Sequence, residues 1–232
     1  MPLNAWIRSA GFAIEGILHA AKTQRHLRYH FYAAFIVLFT SFVLGVSRVE
    51  FLIIAVSIIL VLAAEMFNTA VEATVDILCP QPSEKARIAK DIAAGSVLVT
   101  SCGVAVTGMI ILYPYMGRLF EKGFQVARHS GDDIALMALV FVLISVVLLK
   151  AKFGKGHPLA GGMPSGHAAL AFSVWVSITY LTGNFLVSVL TFVLAFAVSR
   201  SRVKKRIHES FEVLAGGALG SAVTFFFFKL FS

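Results

Sequence analysis

Long apolar runs without charged residues alternate with short polar segments along most of this chain. The runs occupy residues 31–47, 51–64, 92–117, 134–149, 168–199 and 213–228. A helix needs roughly 20 apolar residues to cross a bilayer, and weakly polar neighbours extend the shorter runs to that length. The run 168–199 is long enough for two spans, with a break at residues 182–184. The pattern predicts an all-α polytopic membrane protein with about seven transmembrane helices, near 31–47, 51–72, 92–114, 134–150, 167–182, 184–199 and 211–230.

Residues 3–29 have a different, amphipathic pattern. Apolar residues recur at helical spacing, and basic residues decorate the remaining positions. A helix of this kind lies flat on an anionic leaflet. The sequence therefore predicts a surface helix that precedes the first span.

A polar and basic segment at 113–133 separates three predicted spans from four. We therefore expect a first membrane module at 1–116, a linker at 117–133 and a second membrane module at 134–232. The chain is 58% hydrophobic with a net charge of +8. In so apolar a chain, this charge indicates lipid headgroups, phosphate chemistry and membrane topology rather than nucleic acid. The two cysteines, Cys79 and Cys102, provide no disulfide framework.

The distribution of basic residues predicts the topology. With residues 1–29 in the cytoplasm, the loop 77–91 and the basic segments at 150–155 and 199–208 also fall on the cytoplasmic side, as the positive-inside rule expects. The basic residues of the linker, which would lie outside, are a mild violation. The sequence therefore predicts a multi-pass protein of the bacterial cytoplasmic (inner) membrane, with both of the sites described below facing the cytoplasm.

Three segments of the second half meet at one membrane face: Lys150 with the residues up to Pro158, the "PSGH" turn at 164–167, and "SRVKKRIHESFE" at 201–212. Ser165 and Gly166 precede a helix, where backbone N–H groups and a hydroxyl are able to bind an anion. Lys150 and Arg202 supply positive charge, and arginine is able to grip phosphate with two N–H groups.

Two histidines in these segments are suited to phosphate chemistry. His208 is able to act as a nucleophile, and His167 as an acid. Glu212 follows His208 by four residues, so on a helix it lies on the same face. A carboxylate there orients the imidazole and raises its basicity.

These segments resemble the three-part signature of the type 2 phosphatidic acid phosphatase superfamily, over about residues 130–232. The resemblance implies that His208 attacks phosphorus to form a phosphohistidine and that His167 protonates the leaving oxygen. It assigns phosphate binding to Lys150, His157, Ser165, Gly166 and Arg202, and it implies no metal or other cofactor. Two positions depart from the signature: His157 replaces the usual arginine, and Glu212 replaces the usual aspartate.

The first half contains a polar stripe within "EMFNTAVEATVD", residues 65–76. Glu65, Asn68, Glu72 and Asp76 are spaced by three, four and four residues, which places them on one helix face. Glu65 directly follows an apolar run, and an ionisable residue at the membrane boundary indicates function. Carboxylates at this density suit Mg²⁺ together with nucleotide phosphates. Lys90 and Asp91 begin the third predicted span.

This pattern resembles the prokaryotic diacylglycerol kinase and undecaprenol kinase family, over about residues 5–116. The resemblance implies that Glu65 is the general base on a lipid hydroxyl and that Mg²⁺ and ATP are the cofactors. It assigns Glu72 and position 24 to the metal, and it assigns nucleotide binding to Asn68, Asp76, Lys90 and Asp91. The family usually has glutamate where Gln24 stands. The family is trimeric, so the resemblance also implies a homotrimer.

The leading hypothesis is a membrane lipid phosphatase, acting on a phosphatidate or an undecaprenyl phosphate or pyrophosphate, fused to an ATP-dependent lipid kinase module. Two alternatives remain open. In one, the kinase module is only a trimerising scaffold. In the other, the chain is a phosphotransferase that passes phosphate from His208 to an acceptor other than water.

Overall fold

The computed structural model describes residues 2–122, 126–153 and 162–232, with side chains described at 8–119, 126–153 and 162–232. These residues form eight α-helices and no β-strand, which confirms the predicted all-α class. The helices are α1 (Pro2–Thr23), α2 (Arg25–Val43), α3 (Arg48–Leu78), α4 (Glu84–Lys122), α5 (Gly131–Phe153), α6 (Gly166–Thr182), α7 (Phe185–Lys204) and α8 (Ser210–Phe231).

The chain divides into two compact units, which are treated separately below. The three-helix unit comprises Thr23–Ala127 and holds α2, α3 and α4. The five-helix unit comprises Met1–Lys22 together with Arg128–Ser232, and it holds α1 and α5 to α8. The first helix of the chain therefore groups with the last four helices in the structure.

Helices occupy all seven predicted spans, and five helices in the described residues are long and apolar enough to cross a membrane. These are α3, α4 as far as Leu119, α5, α7 and α8. Helix α2 begins with several charged and imidazole side chains, which lower its mean hydropathy. Helix α6 has 17 residues, or about 25 Å of length, which is short of a hydrocarbon core of about 30 Å. Its start is set by the polar turn at 162–165.

Two predicted boundaries differ from the structure. The surface helix predicted at 3–29 breaks at Gln24, whose backbone is extended (φ −97°, ψ 113°) and which caps α2 without a side-chain hydrogen bond. The third span, predicted at 92–114, lies within the 39-residue helix α4, which contains Pro114 and continues to Lys122. The first residues of the predicted linker are therefore helical. A proline within a membrane helix removes one backbone donor but does not have to end the helix.

In the three-helix unit, α3 packs against both α2 and α4. A capping box between Ser47 and Glu50 begins α3. The Tyr115 hydroxyl donates to Glu50 Oε2 at 2.7 Å, which ties α4 to the start of α3. Gly45 has a φ of 65° in the turn before α3, and a side chain there would lie 2.7 Å from the Ala127 Cβ. This turn therefore requires glycine for both its conformation and its close packing.

In the five-helix unit, α6 lies at the centre and packs against α5, α7 and α8. Helices α6 and α8 approach closely because two glycines of α8 face backbone. A Cβ at Gly216 would lie 2.3 Å from the Ser165 carbonyl oxygen, and one at Gly220 would lie 1.9 Å from that of Ala169. Deeper in the same interface, the buried hydroxyls of Ser173 and Thr224 hydrogen-bond at 2.6 Å. This small-residue contact fixes the start of α6 against the start of α8.

Candidate active sites

In the five-helix unit, His208 and Glu212 form a buried, hydrogen-bonded pair at the start of α8. His208 is 6% exposed, and its Nδ1 lies 2.7 Å from Glu212 Oε2. Glu212 also caps α8, since the Glu209 N–H donates to its Oε2 at 3.3 Å. Its Oε1 accepts a 2.8 Å hydrogen bond from the Gly162 N–H. The carboxylate is thus fixed from three sides, which favours the imidazole tautomer that has its proton on Nδ1 and leaves Nε2 as a free base.

The turn that begins α6 is hydrogen-bonded to the backbone of Glu212. The Ser165 N–H donates to the Glu212 carbonyl oxygen at 2.9 Å. Ser165 is fully buried, and its Oγ has no hydrogen-bond partner among the described residues. An orphaned buried hydroxyl at a helix start is available to a ligand that accepts hydrogen bonds, such as a phosphoryl oxygen.

Cationic side chains gather around this pair. Lys150 is 5% exposed near the end of α5, and the charge of Glu212 acts on it. His167, exposed in the first turn of α6, is within electrostatic range of Lys150, Arg202 and His208. The Arg202 Nε is buried without a hydrogen-bond partner among the described residues. The structure therefore brings together the motif residues of the second half that it describes, whereas His157 lies outside the described residues.

This arrangement offers groups of the kind that a bound oxyanion requires. The buried Lys150, the unpartnered Ser165 hydroxyl and the unpartnered Arg202 N–H suit an oxyanion. A cavity of about 430 Å³ opens beside the pair, and its lining includes His208, Glu212 and Val203. The imidazole is oriented by a carboxylate, as activated catalytic histidines are.

In the three-helix unit, the predicted acidic stripe lies along α3. Glu65 is 6% exposed, and a carboxylate buried on a membrane helix is rare and indicates function. One turn further, the Asn68 Nδ2 donates to Glu72 Oε1 at 3.0 Å. The Asn68 Oδ1 is buried without a hydrogen-bond partner among the described residues.

A charged cluster surrounds the turn between α3 and α4. Lys90 forms an ion pair with Asp76, and Asp91 pairs with Arg87 at 2.7 Å. Arg87 also contacts Glu84 at 2.6 Å. A cavity of about 580 Å³ lies here, and its lining includes Asp76, Lys90 and Arg87. These ion pairs are largely exposed to solvent, and pairs of this kind contribute little to stability.

The oxygen atoms of the stripe fit Mg²⁺ in part. The orphaned Asn68 Oδ1 and the Glu72 carboxylate are hard oxygen donors of the kind that Mg²⁺ prefers. Gln24 caps α2 without a side-chain hydrogen bond, and its amide has a neutral oxygen. No group of three or more His, Cys, Asp or Glu side chains suited to a metal occurs in the described residues. Such a sparse set matches an ion that keeps waters and phosphate oxygens as ligands.

Some contributors to the sites were not predicted from the sequence. The Gly162 N–H, which holds Glu212, lies 50 residues away from it, and no local pattern marks that contact. Gly216 admits the Ser165 backbone through its missing side chain. Arg87 was detectable in principle, because its partners Glu84 and Asp91 lie at the i−3 and i+4 positions of one helix.

The fold defines an α-helical membrane protein built of two compact units, each with one candidate site. A family model described as "Prokaryotic diacylglycerol kinase" matches residues 11–112, and one described as "PAP2 superfamily" matches residues 100–232. The chain therefore belongs to the PAP2 superfamily and, through its first half, to the prokaryotic diacylglycerol kinase family. These memberships indicate a lipid phosphatase domain and a lipid kinase domain.

Curated relatives match the kinase half. The chain is 36% identical over 112 residues to an undecaprenol kinase of Bacillus subtilis, covering 48% of this chain and 91% of that protein. It is 33% identical over 118 residues to a diacylglycerol kinase of Synechocystis, covering 48% of this chain and 67% of that protein. A diacylglycerol kinase of Haemophilus influenzae is 31% identical over 111 residues, with 48% and 94% covered. No solved structure matches the chain significantly.

Proposed function

We propose that the five-helix unit hydrolyses a membrane lipid phosphate, of the phosphatidate or undecaprenyl phosphate and pyrophosphate class, through a phosphohistidine. The observation that carries this proposal is the buried His208–Glu212 pair with its 2.7 Å contact. His208 Nε2 attacks phosphorus while the bond from phosphorus to the lipid oxygen breaks. His167 gives its proton to that oxygen, so the lipid leaves as an alcohol or, from a pyrophosphate, as a monophosphate.

Water completes the cycle. It attacks the phosphorus of phosphohistidine, His167 accepts its proton, and the N–P bond breaks to release phosphate and restore His208. Throughout both steps Glu212 holds the imidazole by Nδ1–H and offsets its developing charge. Lys150, Arg202, Ser165 and Gly166 stabilise the phosphoryl oxygens by charge and hydrogen bonds.

The test is His208→Ala in purified protein with a panel of lipid phosphates. We expect turnover to disappear, and in the wild type we expect an acid-labile, base-stable phosphoryl group on His208. The matched control is His129→Ala, at a histidine of the same unit that precedes α5. An active His208→Ala protein would refute the mechanism.

The phosphatase reaction is expected to survive EDTA, because the proposed site relies on histidines and cations for every step. Phosphate release that stops on chelation and returns with a divalent ion would contradict this expectation. The same EDTA treatment should stop any lipid phosphorylation, so one preparation reports on both units.

The three-helix unit carries a second candidate activity, the phosphorylation of a lipid alcohol. The observation that favours it is the buried Glu65, one turn from the orphaned Asn68 oxygen. Glu65 would accept the proton of the lipid hydroxyl. Glu72, with Asn68 and Gln24, would hold Mg²⁺, and bound Mg²⁺-ATP would supply the phosphoryl group. Asp76, Lys90 and Asp91 would position the nucleotide at the α3–α4 turn.

A homotrimer built through the three-helix unit is part of this proposal. Its support is the exposure of apolar surface: only 17% and 6% of the most apolar stretches of α3 and α4 are buried within one chain, against 44% for α5. Neighbouring copies and lipid would cover the remainder. Cross-linking in detergent with mass analysis should give a trimer, and a monomer at all concentrations would contradict it.

One experiment separates the open alternatives. Purified protein is incubated with lipid phosphates, with and without Mg-ATP, while phosphate release and lipid phosphorylation are followed together. A scaffold role for the three-helix unit predicts phosphate release without any use of ATP. If the chain is a phosphotransferase, the lipid should lose its phosphate to an acceptor hydroxyl, and no inorganic phosphate should be released. Inorganic phosphate should appear only when water takes the place of that acceptor.

A further inference from the structure

The last turn of α1 is packed against protein within the five-helix unit. Leu18, Ala20 and Ala21 are all buried. The structure groups Met1–Lys22 with Arg128–Ser232, so this helix end belongs to the same unit as the candidate phosphatase site. Because the turn is buried, packing fixes the position of the charged side chain that follows it.

That charged side chain is Lys22, which lies near the buried Lys150 of the candidate phosphatase site. Lys22 is half-buried, and its charge acts on Lys150. Because Lys150 is buried, the repulsion between the two ammonium groups is screened less than it would be in water. Two like charges held together in this way are unfavourable by themselves. An anion that binds beside both of them removes that cost.

Positive charge exceeds negative charge around Lys150. Arg202 belongs to the same cluster as Lys22, since the charges of Lys150 and Arg202 both act on His167. A carboxylate that acts on Lys150 is that of Glu212, but its oxygens already accept hydrogen bonds from three N–H groups. A phosphate ester carries about two negative charges and has free oxygen acceptors. It therefore supplies both the charge and the acceptors that the cluster lacks.

A departure in the first phosphatase motif explains the use of an additional cation at this place. The motif begins at Lys150 and has His157 where arginine is usual. Imidazole has an ordinary pKa of about 6.5, so at pH 7 it is largely uncharged, whereas arginine always carries its charge. The motif is therefore short of one cation. Lys22 lies near the lysine of this same motif and has the charge that is missing.

Building on the proposed phosphatase, we infer that Lys22 of α1 binds the phosphoryl group of the lipid substrate beside Lys150 and replaces the cation that the first motif lacks at His157. Its ammonium group donates charge-assisted hydrogen bonds to phosphoryl oxygens. Lys22 lies within the residues that match the kinase family and outside those that match the PAP2 superfamily. A residue of the kinase-like half of the sequence thus acts in the phosphatase site.

The first test is Lys22→Gln, with dihexanoyl phosphatidate or farnesyl diphosphate as substrate, whichever the wild type hydrolyses. The variant should lower kcat/KM about 10- to 100-fold, the effect of one lost hydrogen bond to a charged group. Lys22→Arg keeps the positive charge and should stay within about threefold of the wild type. The control is Arg8→Gln, which removes one charge from the first part of the same helix and should leave phosphate release unchanged.

Two outcomes of this test would overturn the inference. One is an equal loss in Lys22→Gln and Arg8→Gln, or no loss in either, because the effect would then not depend on the position of the charge. The other is a Lys22→Gln protein that loses lipid phosphorylation but releases phosphate normally, because Lys22 would then act in the three-helix unit alone.

The second test restores the usual arginine of the first motif with His157→Arg. If Lys22 replaces that arginine, the substitution should raise kcat/KM about tenfold more in Lys22→Gln than in the wild type, since the two positions are then coupled. The control is His129→Arg, which adds the same side chain elsewhere in the unit and should not rescue Lys22→Gln. Equal gains from His157→Arg in both backgrounds would show that the two positions act independently and would overturn the inference.

Binding of inorganic phosphate separates this inference from the proposed function. The Kd is measured by isothermal titration calorimetry in EDTA, without lipid or ATP, and Lys22→Gln should raise it about tenfold or more while Arg8→Gln should not. If the wild type hydrolyses lipid phosphates but Lys22→Gln binds phosphate equally well, the inference is wrong and the phosphatase proposal stands. If the wild type hydrolyses none and Lys22→Gln still weakens phosphate binding, the phosphatase proposal is wrong and the phosphate site at Lys22 stands.

Discussion

Replacing Glu212 by glutamine removes one negative charge and exchanges one carboxylate oxygen for an amide NH₂ group. In the wild type, three N–H groups converge on the two oxygens: His208 Nδ1 at 2.7 Å, Gly162 N at 2.8 Å and Glu209 N at 3.3 Å. Glutamine has one oxygen for these three donors. At least one of them must therefore face the NH₂ group. That contact would bring two donors together, because neither the backbone N–H groups nor the protonated His208 Nδ1 is able to accept a hydrogen bond.

The cost depends on which donor loses its acceptor. If the NH₂ group faces His208, the imidazole must move its proton to Nε2, which then has no lone pair for attack on phosphorus. A wrong tautomer of this kind reduces kcat by about 10⁴ in a Ser-His-Asp triad. If it faces the Gly162 N–H, a charge-assisted hydrogen bond of about 1.5–3 kcal/mol is lost from the turn before α6, or about 10–150-fold in rate. We therefore expect kcat to fall by at least about 10-fold and by as much as about 10⁴.

The assay is phosphate release from dihexanoyl phosphatidate, with kcat and KM measured separately. Glu212→Asp serves as the matched control, because it keeps the charge and shortens the side chain by one methylene; we expect it to retain at least a tenth of wild-type kcat. The ¹⁵N chemical shifts of His208 report its tautomer, which should change in Glu212→Gln but not in Glu212→Asp. If Glu212→Gln keeps more than a tenth of wild-type kcat, the orienting role of Glu212 is wrong.

Three further predictions concern packing, the kinase unit and topology. Gly220→Ala would place a Cβ 1.9 Å from the Ala169 oxygen, and in thermal unfolding it should destabilise the five-helix unit by about 1–3 kcal/mol. The control is Gly103→Ala, whose Cβ would meet nothing within 4 Å and which should not destabilise the protein. Equal shifts in the two variants would contradict the packing argument. Gln24→Glu restores a metal-site carboxylate and should raise lipid phosphorylation by about 10–100-fold, while Glu72→Gln should abolish it; if neither form binds or uses ATP, the three-helix unit is a scaffold. Lys204→Cys, in a protein without Cys79 and Cys102, should resist a membrane-impermeant thiol reagent in intact cells, and ready labelling would place the phosphatase site outside.

Local patterns in the sequence were sufficient for the helices and for the motif residues. Apolar runs follow from the length of chain needed to cross a bilayer, so they predicted the seven helices from α2 to α8. The spacing of His208 and Glu212 by four residues predicted that they would lie on one helix face, although His208 itself precedes the first residue of α8. The helix boundaries were less accurate, because the break at Gln24 and the continuation of α4 beyond Pro114 depend on packing rather than on residue type.

Only the tertiary structure decided how the motifs meet and what lies beside them. Contacts between distant residues, such as the Gly162 N–H on Glu212 and the Ser165 N–H on the Glu212 carbonyl, leave no periodic signal in the chain. The glycines of α8 show the same division: the sequence displays them, but only the packed helices reveal that Gly216 and Gly220 face backbone while Gly217 faces the Phe172 ring. The periodicity of apolar and polar residues indicates which face of a helix is buried. The partner of that face is selected by close packing over the whole unit.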